Sequence, residues 1–110
     1  MMHKPLFLCS VLIFSASFSL IASNSILVQS TTSTQNSGLF NYILPIYQAK
    51  TGIEVKVVAV GTGQALKNAA NGDADVVMVH AKSAEEIFIK NGYGIARRPL
   101  MYNQFFVVGP

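Results

Sequence analysis

The sequence contains one cysteine, no tryptophan and few charged residues. The only cysteine, Cys9, lies in an N-terminal segment that we expect to be removed, so the mature chain has no disulfide and no thiolate metal ligand. The bulky residues before Cys9 argue against lipid attachment there. Lysine and arginine number 8 against 5 aspartate and glutamate residues, a formal net charge of +3. The lysines are scattered and aromatic residues do not alternate with them, so we expect no nucleic-acid partner. A weakly positive chain suits a small anion better.

The first 25 residues have the pattern of a secretory signal peptide. Lys4 supplies a positive charge near the start, an uncharged apolar run extends from Leu6 to Ile21, and small polar residues follow at 22–25. A membrane-spanning helix is the alternative interpretation, but it needs roughly 20 apolar residues and this run is shorter. We therefore expect export to the periplasm, cleavage near residues 22–25 and no stable membrane anchor.

Beyond this segment, apolar runs typical of strands alternate with segments whose apolar residues recur at helical spacing. Strands are predicted at 25–30, 53–60, 75–80 and 102–108, and helices at 38–50, 64–71 and 83–91. Strands that are apolar without interruption are typical of parallel sheets buried on both faces. The pattern predicts an α/β fold, a mainly parallel sheet with helices on both faces.

Several residues mark where the helices should begin and end. Ser37 is a plausible N-cap for the first helix, and Gly52 is placed to end it in the left-handed conformation. Pro45 lies inside that helix and should kink it. Ser83, with Glu86 three residues later, predicts a capping box at the start of the last helix.

The sequence stops directly after its last predicted strand, at Gly109 and Pro110. A parallel sheet completed at that point would expose an unpaired edge and an uncovered face. We therefore interpret residues 26–110 as the N-terminal part of a longer protein, with a natural small domain as the alternative.

Two loops rich in hydrogen-bond donors follow the first two predicted strands. The first carries five consecutive hydroxyl residues, and the second carries glycines that let backbone N–H groups approach a ligand. Both lead into helix N-termini at the carboxyl edge of the sheet, where anions are stabilised. Hydroxyl runs and Gly-Thr-Gly loops also serve only as caps and turns. The candidate anion ligands are Thr31, Thr32, Ser33, Thr34, Gly61, Thr62 and Gly63.

Neither loop contains an aspartate or a glutamate. Phosphate is partly protonated at neutral pH, so a selective phosphate site needs a carboxylate that accepts that proton. Sulfate, molybdate and tungstate are fully ionised and need donors only. The loops therefore favour a fully deprotonated tetrahedral oxyanion.

Four segments follow one another at the spacing of one protein family. Three are Ser30-Thr-Thr-Ser-Thr-Gln-Asn-Ser-Gly38-Leu-Phe, Val58-Ala-Val-Gly-Thr-Gly-Gln-Ala-Leu66, and Asn71-Gly-Asp-Ala-Asp-Val76 with Val79-His80. The fourth is Arg97-Arg98 with Met101-Tyr-Asn103 and Val107-Val-Gly-Pro110. Together they resemble the tungstate-binding periplasmic proteins of ABC importers, and the resemblance covers essentially the whole chain after the signal segment.

The resemblance implies a two-lobed binding protein of the type II periplasmic-binding-protein fold. Residues 26–110 would form the N-terminal part of the first, oxyanion-binding lobe, with the second lobe absent. The resemblance also implies tungstate, with molybdate as an alternative ligand, and an ABC permease as partner; we expect a monomer. The family's first motif usually opens with three threonines and a serine, whereas this chain begins with Ser30, which keeps a hydroxyl there.

Arg97 and Arg98 precede the last predicted strand. A guanidinium group can hold an oxyanion with paired N–H donors, whereas a solvated basic pair is the other interpretation. In the family that the chain resembles, an arginine recurs ahead of the Met-Tyr-Asn segment, and Arg97 matches that position best. The resemblance therefore adds Arg97 to the candidate ligands.

His80 ends a predicted buried strand near the same edge. We interpret it as a hydrogen-bonded structural histidine, because it has no companion at metal-ligand spacing. As a catalytic base it would need a nucleophile and an orienting acid, and Asp75 begins the same strand at its opposite end. Asp73 and Asp75 are expected to shape the turn before that strand.

Two functions remain open at this point. The first is a solute-binding protein for an oxyanion, without catalysis. The alternative is an exported hydrolase or transferase that uses the same loops as an oxyanion or phosphate hole. Because no Ser–His or Cys–His arrangement is apparent in the sequence, we expect no enzyme activity, no catalytic residue, no metal ligand and no cofactor.

Overall fold

The computed structural model describes residues 24–102, 104 and 106–110. Its elements are β1 (Ser25–Thr31), α1 (Thr32–Asn36), α2 (Leu39–Thr51), β2 (Glu54–Val60), α3 (Thr62–Ala70), β3 (Val76–Met78) and α4 (Lys82–Lys90). The predicted signal segment lies outside the described residues as far as residue 23. Of its last two residues, Ser25 opens β1, and the Asn24 carbonyl accepts a hydrogen bond from Glu54 N at 3.1 Å.

The three strands form one parallel sheet in the order β2-β1-β3, with β1 in the centre. The connection from β1 to β2 moves in one direction along the sheet, and the connection from β2 to β3 moves in the other. Because such crossovers are right-handed, they place their helices on opposite faces of the sheet. The predicted α/β class with a parallel sheet and helices on both faces is confirmed.

The buried centre of the molecule lies on β1. Val28 of β1 is 8% exposed, and the other buried apolar residues are Phe40 of α2 and Ala65 of α3. Gln29 is buried in the same strand, where Asn68 donates to its side-chain oxygen at 3.1 Å and its amide donates to the Asp73 carbonyl at 3.0 Å. These bonds satisfy a polar side chain that would otherwise be costly to bury.

The predicted buried strand at 75–80 forms over a shorter range and is less buried than expected. It spans only Val76–Met78, Val76 is 48% exposed, and His80 lies beyond the strand on the surface. An uninterrupted apolar run does not by itself bury a strand, because β3 lies at one side of the sheet beside β1 alone.

The polar stretch before α2 contains a short helix, α1, where the sequence predicted only a loop. Ser37 ends α1, and Gly38, with a φ of 83°, takes the position before α2 that was predicted for Ser37. The Ser37 hydroxyl still accepts a hydrogen bond from Leu39 N at 3.3 Å. Gly52 ends α2 in the left-handed conformation, as predicted, and Pro45 lies inside the helix.

The start of α4 differs from the predicted capping box. The residue before the helix is Ala81, not Ser83, and the Glu85 carboxylate accepts a hydrogen bond from Ala81 N at 2.9 Å. Glu86 instead lies 3.8 Å from the Lys82 ammonium group. Because a side chain one turn into a helix can reach back to its first N–H groups, Glu85 performs the capping that the sequence predicts for Glu86.

The predicted strand at 102–108 is absent from the part of this segment that the structure describes. Residues 103 and 105 lie outside the described residues, and the others form no ladder with the sheet. Val107 is 103% exposed and Val108 is 90% exposed. A β-branched sequence favours a strand only when a partner strand supplies its hydrogen bonds.

Candidate functional site

The candidate site lies at the carboxyl edge of the sheet, where β1 meets both of its neighbours. Thr31, the last residue of β1, pairs with Val60 of β2, and Ser30 pairs with Met78 of β3. The chain leaves β1 toward one side of the sheet and arrives at β3 on the other, so the point between β1 and β3 is a topological switch point. Open α/β sheets bind ligands at such points.

Residues Thr31–Thr34, which we call the hydroxyl loop, form a hydrogen-bonded cluster. The Thr31 hydroxyl lies 3.1 Å from the Ser33 hydroxyl and 2.9 Å from the Thr34 hydroxyl, and it accepts from Thr34 N at 3.4 Å. Thr31 is 2% exposed, whereas Thr32 and Ser33 are exposed. The buried Thr31 therefore fixes the positions of neighbouring side chains that open toward solvent.

His80 joins this cluster from β3's end of the sheet. Its Nε2 atom lies 3.0 Å from the Ser33 hydroxyl oxygen. This contact agrees with the interpretation of His80 as a hydrogen-bonded structural histidine. It corrects the expectation that the chain has no Ser–His arrangement. The available signal was the position of His80 just after the third strand, because parallel strands bring their carboxyl ends to one edge.

Residues Gly61–Gly63, which we call the glycine loop, open α3 rather than forming a separate tight loop. Gly61 precedes the helix with extended backbone angles, and Thr62 and Gly63 lie in the first helical turn. Within α3 the first internal bond runs from Ala65 N to the Gly61 carbonyl, so the earlier N–H groups of that turn have no helical acceptor. These N–H groups are the donors that the glycine loop offers.

The glycines of this loop are not required by packing. A Cβ atom added at Gly61 or at Gly63 would meet nothing within 4 Å among the residues that the structure describes. Neither glycine has a positive φ. The absence of side chains at both positions leaves space for a ligand at the backbone.

Arg97 is held by an ion pair rather than left in solvent. Its Nε atom lies 2.6 Å from Glu85 Oε2, and the two side chains are 29% and 17% exposed. The other Glu85 oxygen accepts from Ala81 N, the residue after His80. This ion pair holds the Arg97 side chain at its Nε atom. It also balances the negative charge of the Glu85 carboxylate.

A groove of about 1700 Å³ borders the site. Its lining includes Ser33, Thr34, His80 and Arg97, together with residues 93–102, which follow α4. The glycine loop is not part of this lining. The structure therefore brings part of the hydroxyl loop and Arg97 to one groove and leaves the glycine loop beside it.

The acidic residues near β3 lie away from this edge, as the sequence predicted. The Asp75 carboxylate accepts from Leu27 N at 2.8 Å, at the amino end of the strands. Asp73 N donates to the Asn68 carbonyl at 3.0 Å in the turn after α3.

In the described ranges, no three His, Cys, Asp or Glu side chains are grouped to hold a metal ion. No helix in the same ranges combines the length and apolar character needed to cross a membrane.

A family model described as the PBP superfamily domain matches residues 21–110. The chain belongs to the PBP superfamily. It is 55% identical over 89 residues to the tungstate-binding protein TupA of Peptoclostridium acidaminophilum, covering 81% of this chain and 31% of that protein. It is 46% identical over 76 residues to the tungstate-binding protein TupA of Campylobacter jejuni subsp. jejuni, covering 69% of this chain and 28% of that protein.

Solved structures of the superfamily share the fold of this chain. A structure described as the tungstate ABC transporter from Geobacter sulfurreducens matches with a TM-score of 0.69 at 48% identity, over 73% of this chain and 34% of that one. The chain thus spans about a third of the length of the relatives that it matches. The resemblance to tungstate-binding proteins and the membership of a periplasmic-binding-protein fold are confirmed.

Proposed function

We propose that this chain is part of an extracytoplasmic solute-binding protein that captures tungstate, with molybdate as an alternative ligand. The observation that carries this proposal is the hydroxyl loop at the switch point of a PBP-type sheet, in a chain 55% identical to a tungstate-binding protein. The proposed ligands are Thr31, Thr32, Ser33, Thr34, Gly61, Thr62, Gly63 and Arg97.

The chemistry of these ligands suits a fully ionised oxyanion. Hydroxyl groups, backbone N–H groups and a guanidinium donate hydrogen bonds, and an oxyanion accepts them at every oxygen. The nearest carboxylate of the groove, Glu85, is engaged by Arg97 and by Ala81 N. Glu85 is therefore not a free carboxylate that could accept the proton of protonated phosphate.

The proposal extends to the surroundings of the site. A groove of about 1700 Å³ is far larger than a tetrahedral oxyanion, so its size alone does not enclose such a ligand. We propose that residues 26–110 are the N-terminal part of one lobe and that a second lobe encloses the ligand. The protein would then deliver the oxyanion, as a monomer, to an ABC permease after export and cleavage near residues 22–25.

One observation favours the alternative function, an exported hydrolase or transferase. The Ser33 hydroxyl and His80 Nε2 are 3.0 Å apart, the distance of a nucleophile and its general base. Such a pair needs a third group that orients the histidine. Among the described residues, the other ring nitrogen of His80 has no hydrogen-bond partner, so this structure supports a binding role better than catalysis.

Competition titration of the full gene product tests the proposal. Tungstate and molybdate are similar in size, whereas sulfate is smaller and leaves some donors unpaired. Each unpaired buried donor costs about 1–3 kcal/mol, so two or three of them exclude sulfate by several orders of magnitude. We expect tungstate at or above molybdate, with sulfate and phosphate far weaker. Displacement of tungstate by equal concentrations of sulfate or phosphate would overturn the proposal.

A serine-directed phosphonate probe distinguishes the two functions. A solute-binding protein leaves Ser33 unlabelled, because the hydroxyl is not activated by an oriented base. The control is the Ser33→Ala variant under the same conditions. Labelling of the unmodified protein and not of this variant would favour the enzyme.

A further inference from the structure

His80, Ser33, Thr31 and Thr34 form one continuous line of hydrogen bonds. The separations are 3.0 Å from His80 Nε2 to the Ser33 hydroxyl, 3.1 Å from Ser33 to Thr31, and 2.9 Å from Thr31 to Thr34. Each hydroxyl carries one proton and can accept two further hydrogen bonds. The direction of donation along the line therefore depends on whether the histidine nitrogen at its end donates or accepts.

When His80 Nε2 accepts, the line offers no proton to a ligand. Ser33 then donates to His80, Thr31 donates to Ser33, and Thr34 donates to Thr31. All three hydroxyl protons are used inside the line, so an anion beside it would meet oxygen lone pairs. In this arrangement the line supplies no hydrogen-bond donor to an oxyanion.

When His80 Nε2 carries a proton and donates a hydrogen bond to Ser33, the number of hydroxyl protons used inside the line falls from three to two. Two hydroxyl protons then suffice for the two remaining links, from Ser33 to Thr31 and from Thr31 to Thr34. One hydroxyl proton is left over and is directed out of the line. It lies on Ser33 or on Thr34, because Thr31 already accepts from Thr34 N and cannot also accept from both neighbouring hydroxyls. Both residues border the groove.

We propose that His80 is a positioning residue of the tungstate site: it donates from Nε2 to Ser33 and thereby turns one hydroxyl proton of the hydroxyl loop toward the oxyanion. This inference rests on the proposed function. His80 need not touch the ligand, because it acts through the hydroxyl groups.

The described residues around His80 do not decide whether Nε2 donates or accepts, so a bound ligand can decide it. The charged side chains that share its groove are Asp75, Lys82, Glu85, Arg97 and Arg98. Of the two carboxylates, Glu85 is engaged by Ala81 N and Arg97, and Asp75 by Leu27 N. Among the described side chains, only Ser33 forms a hydrogen bond with the ring, and its hydroxyl can pair with either tautomer. The neutral tautomer protonated at Nε2 and the imidazolium ion both supply the required donor.

Two neutral variants separate this role from a structural one. In His80→Gln the amide nitrogen reaches about as far as Nε2 and donates to Ser33, whereas in His80→Asn the shorter amide does not reach it. We expect tungstate affinity within about threefold of wild type for His80→Gln. We expect His80→Asn to bind several-fold more weakly, because the spare hydroxyl proton remains but no donor at Ser33 fixes its direction toward the oxyanion. Both variants are polar at a surface position, so their thermal unfolding should match.

Nitrogen NMR of the full gene product gives the second readout. The ¹⁵N shifts of the His80 ring report which nitrogen carries a proton, and we expect Nε2 to be protonated in the tungstate complex. An unprotonated Nε2 in that complex, or equal affinities for His80→Gln and His80→Asn, would overturn the inference while tungstate binding itself stands. If the wild-type protein bound no tungstate, the proposed function would fail and this inference with it.

Discussion

The hydroxyl loop and the glycine loop follow two paired strands, yet they are constructed in different ways. In the hydroxyl loop, side chains bond to one another through Thr31, which is 2% exposed. In the glycine loop the donors are backbone N–H groups at the start of α3, and a Cβ added at Gly61 or Gly63 would meet nothing within 4 Å. One loop is organised by its side chains and the other by helix geometry, so substitutions should affect them differently.

The largest effect should come from Thr31→Val, which removes the centre of the hydroxyl loop. The variant keeps the size of the side chain but leaves Ser33, Thr34 and the Thr34 N–H group without their shared partner. We expect the free energy of unfolding to fall by about 1–3 kcal/mol and tungstate affinity to fall with it. Urea unfolding and titration calorimetry measure the two effects.

The control for that experiment is Ser37→Ala. Its hydroxyl also bonds to backbone, donating to the Thr34 carbonyl at 2.6 Å, but it is exposed and absent from the candidate ligands. We expect a loss of about 1 kcal/mol or less with no change in tungstate affinity. An equal loss of stability in both variants would contradict a central role for Thr31.

An intermediate effect is expected from Thr32→Val and Ser33→Ala. Each removes one hydroxyl that we assign to the oxyanion, and a hydrogen bond to a charged group contributes about 1.5–3 kcal/mol. Titration calorimetry of the full gene product should therefore show tungstate binding about tenfold or more weaker in each variant.

These two variants also differ in a useful way. The Thr32 hydroxyl makes no hydrogen bond to any other described residue, whereas Ser33 bonds to Thr31 and His80. Thr32→Val should leave the free energy of unfolding unchanged, so weaker binding in that variant reports on the ligand alone. If tungstate affinity were unchanged in both variants, the hydroxyl loop would only cap α1 and would not bind the oxyanion.

The smallest effect on folding, and the sharpest contrast with the hydroxyl loop, should come from Gly63→Ala. The position is helical and spacious, so alanine should leave stability unchanged or raise it by about 0.4–1 kcal/mol. If the backbone approaches the oxyanion closely, the added methyl should weaken tungstate binding several-fold. Thermal unfolding and calorimetry would separate these outcomes, and an unchanged affinity would remove the glycine loop from the site.

The sequence predicted most strands and helices because their signals are local. The alternation in β2 and the left-handed glycine that ends α2 follow from side-chain spacing and from backbone preference. The predictions that failed depend on partners. The segment 102–108 has strand-forming residues and no neighbouring strand in the described part of the chain, and the cap of α4 uses Glu85 because that carboxylate also reaches Ala81 N.

The sequence by itself determined the fold class, the family resemblance and the chemical nature of the donors, since these depend on residue types and their order. Only the tertiary structure decided which donors meet. Ser33 and His80 are 47 residues apart in the chain, and the pairing of β3 beside β1 brings them to 3.0 Å. The same folding joined Arg97 to Glu85. Contacts of this kind depend on strand order, and strand order is set by the burial and hydrogen bonding of the whole sheet rather than by any one segment.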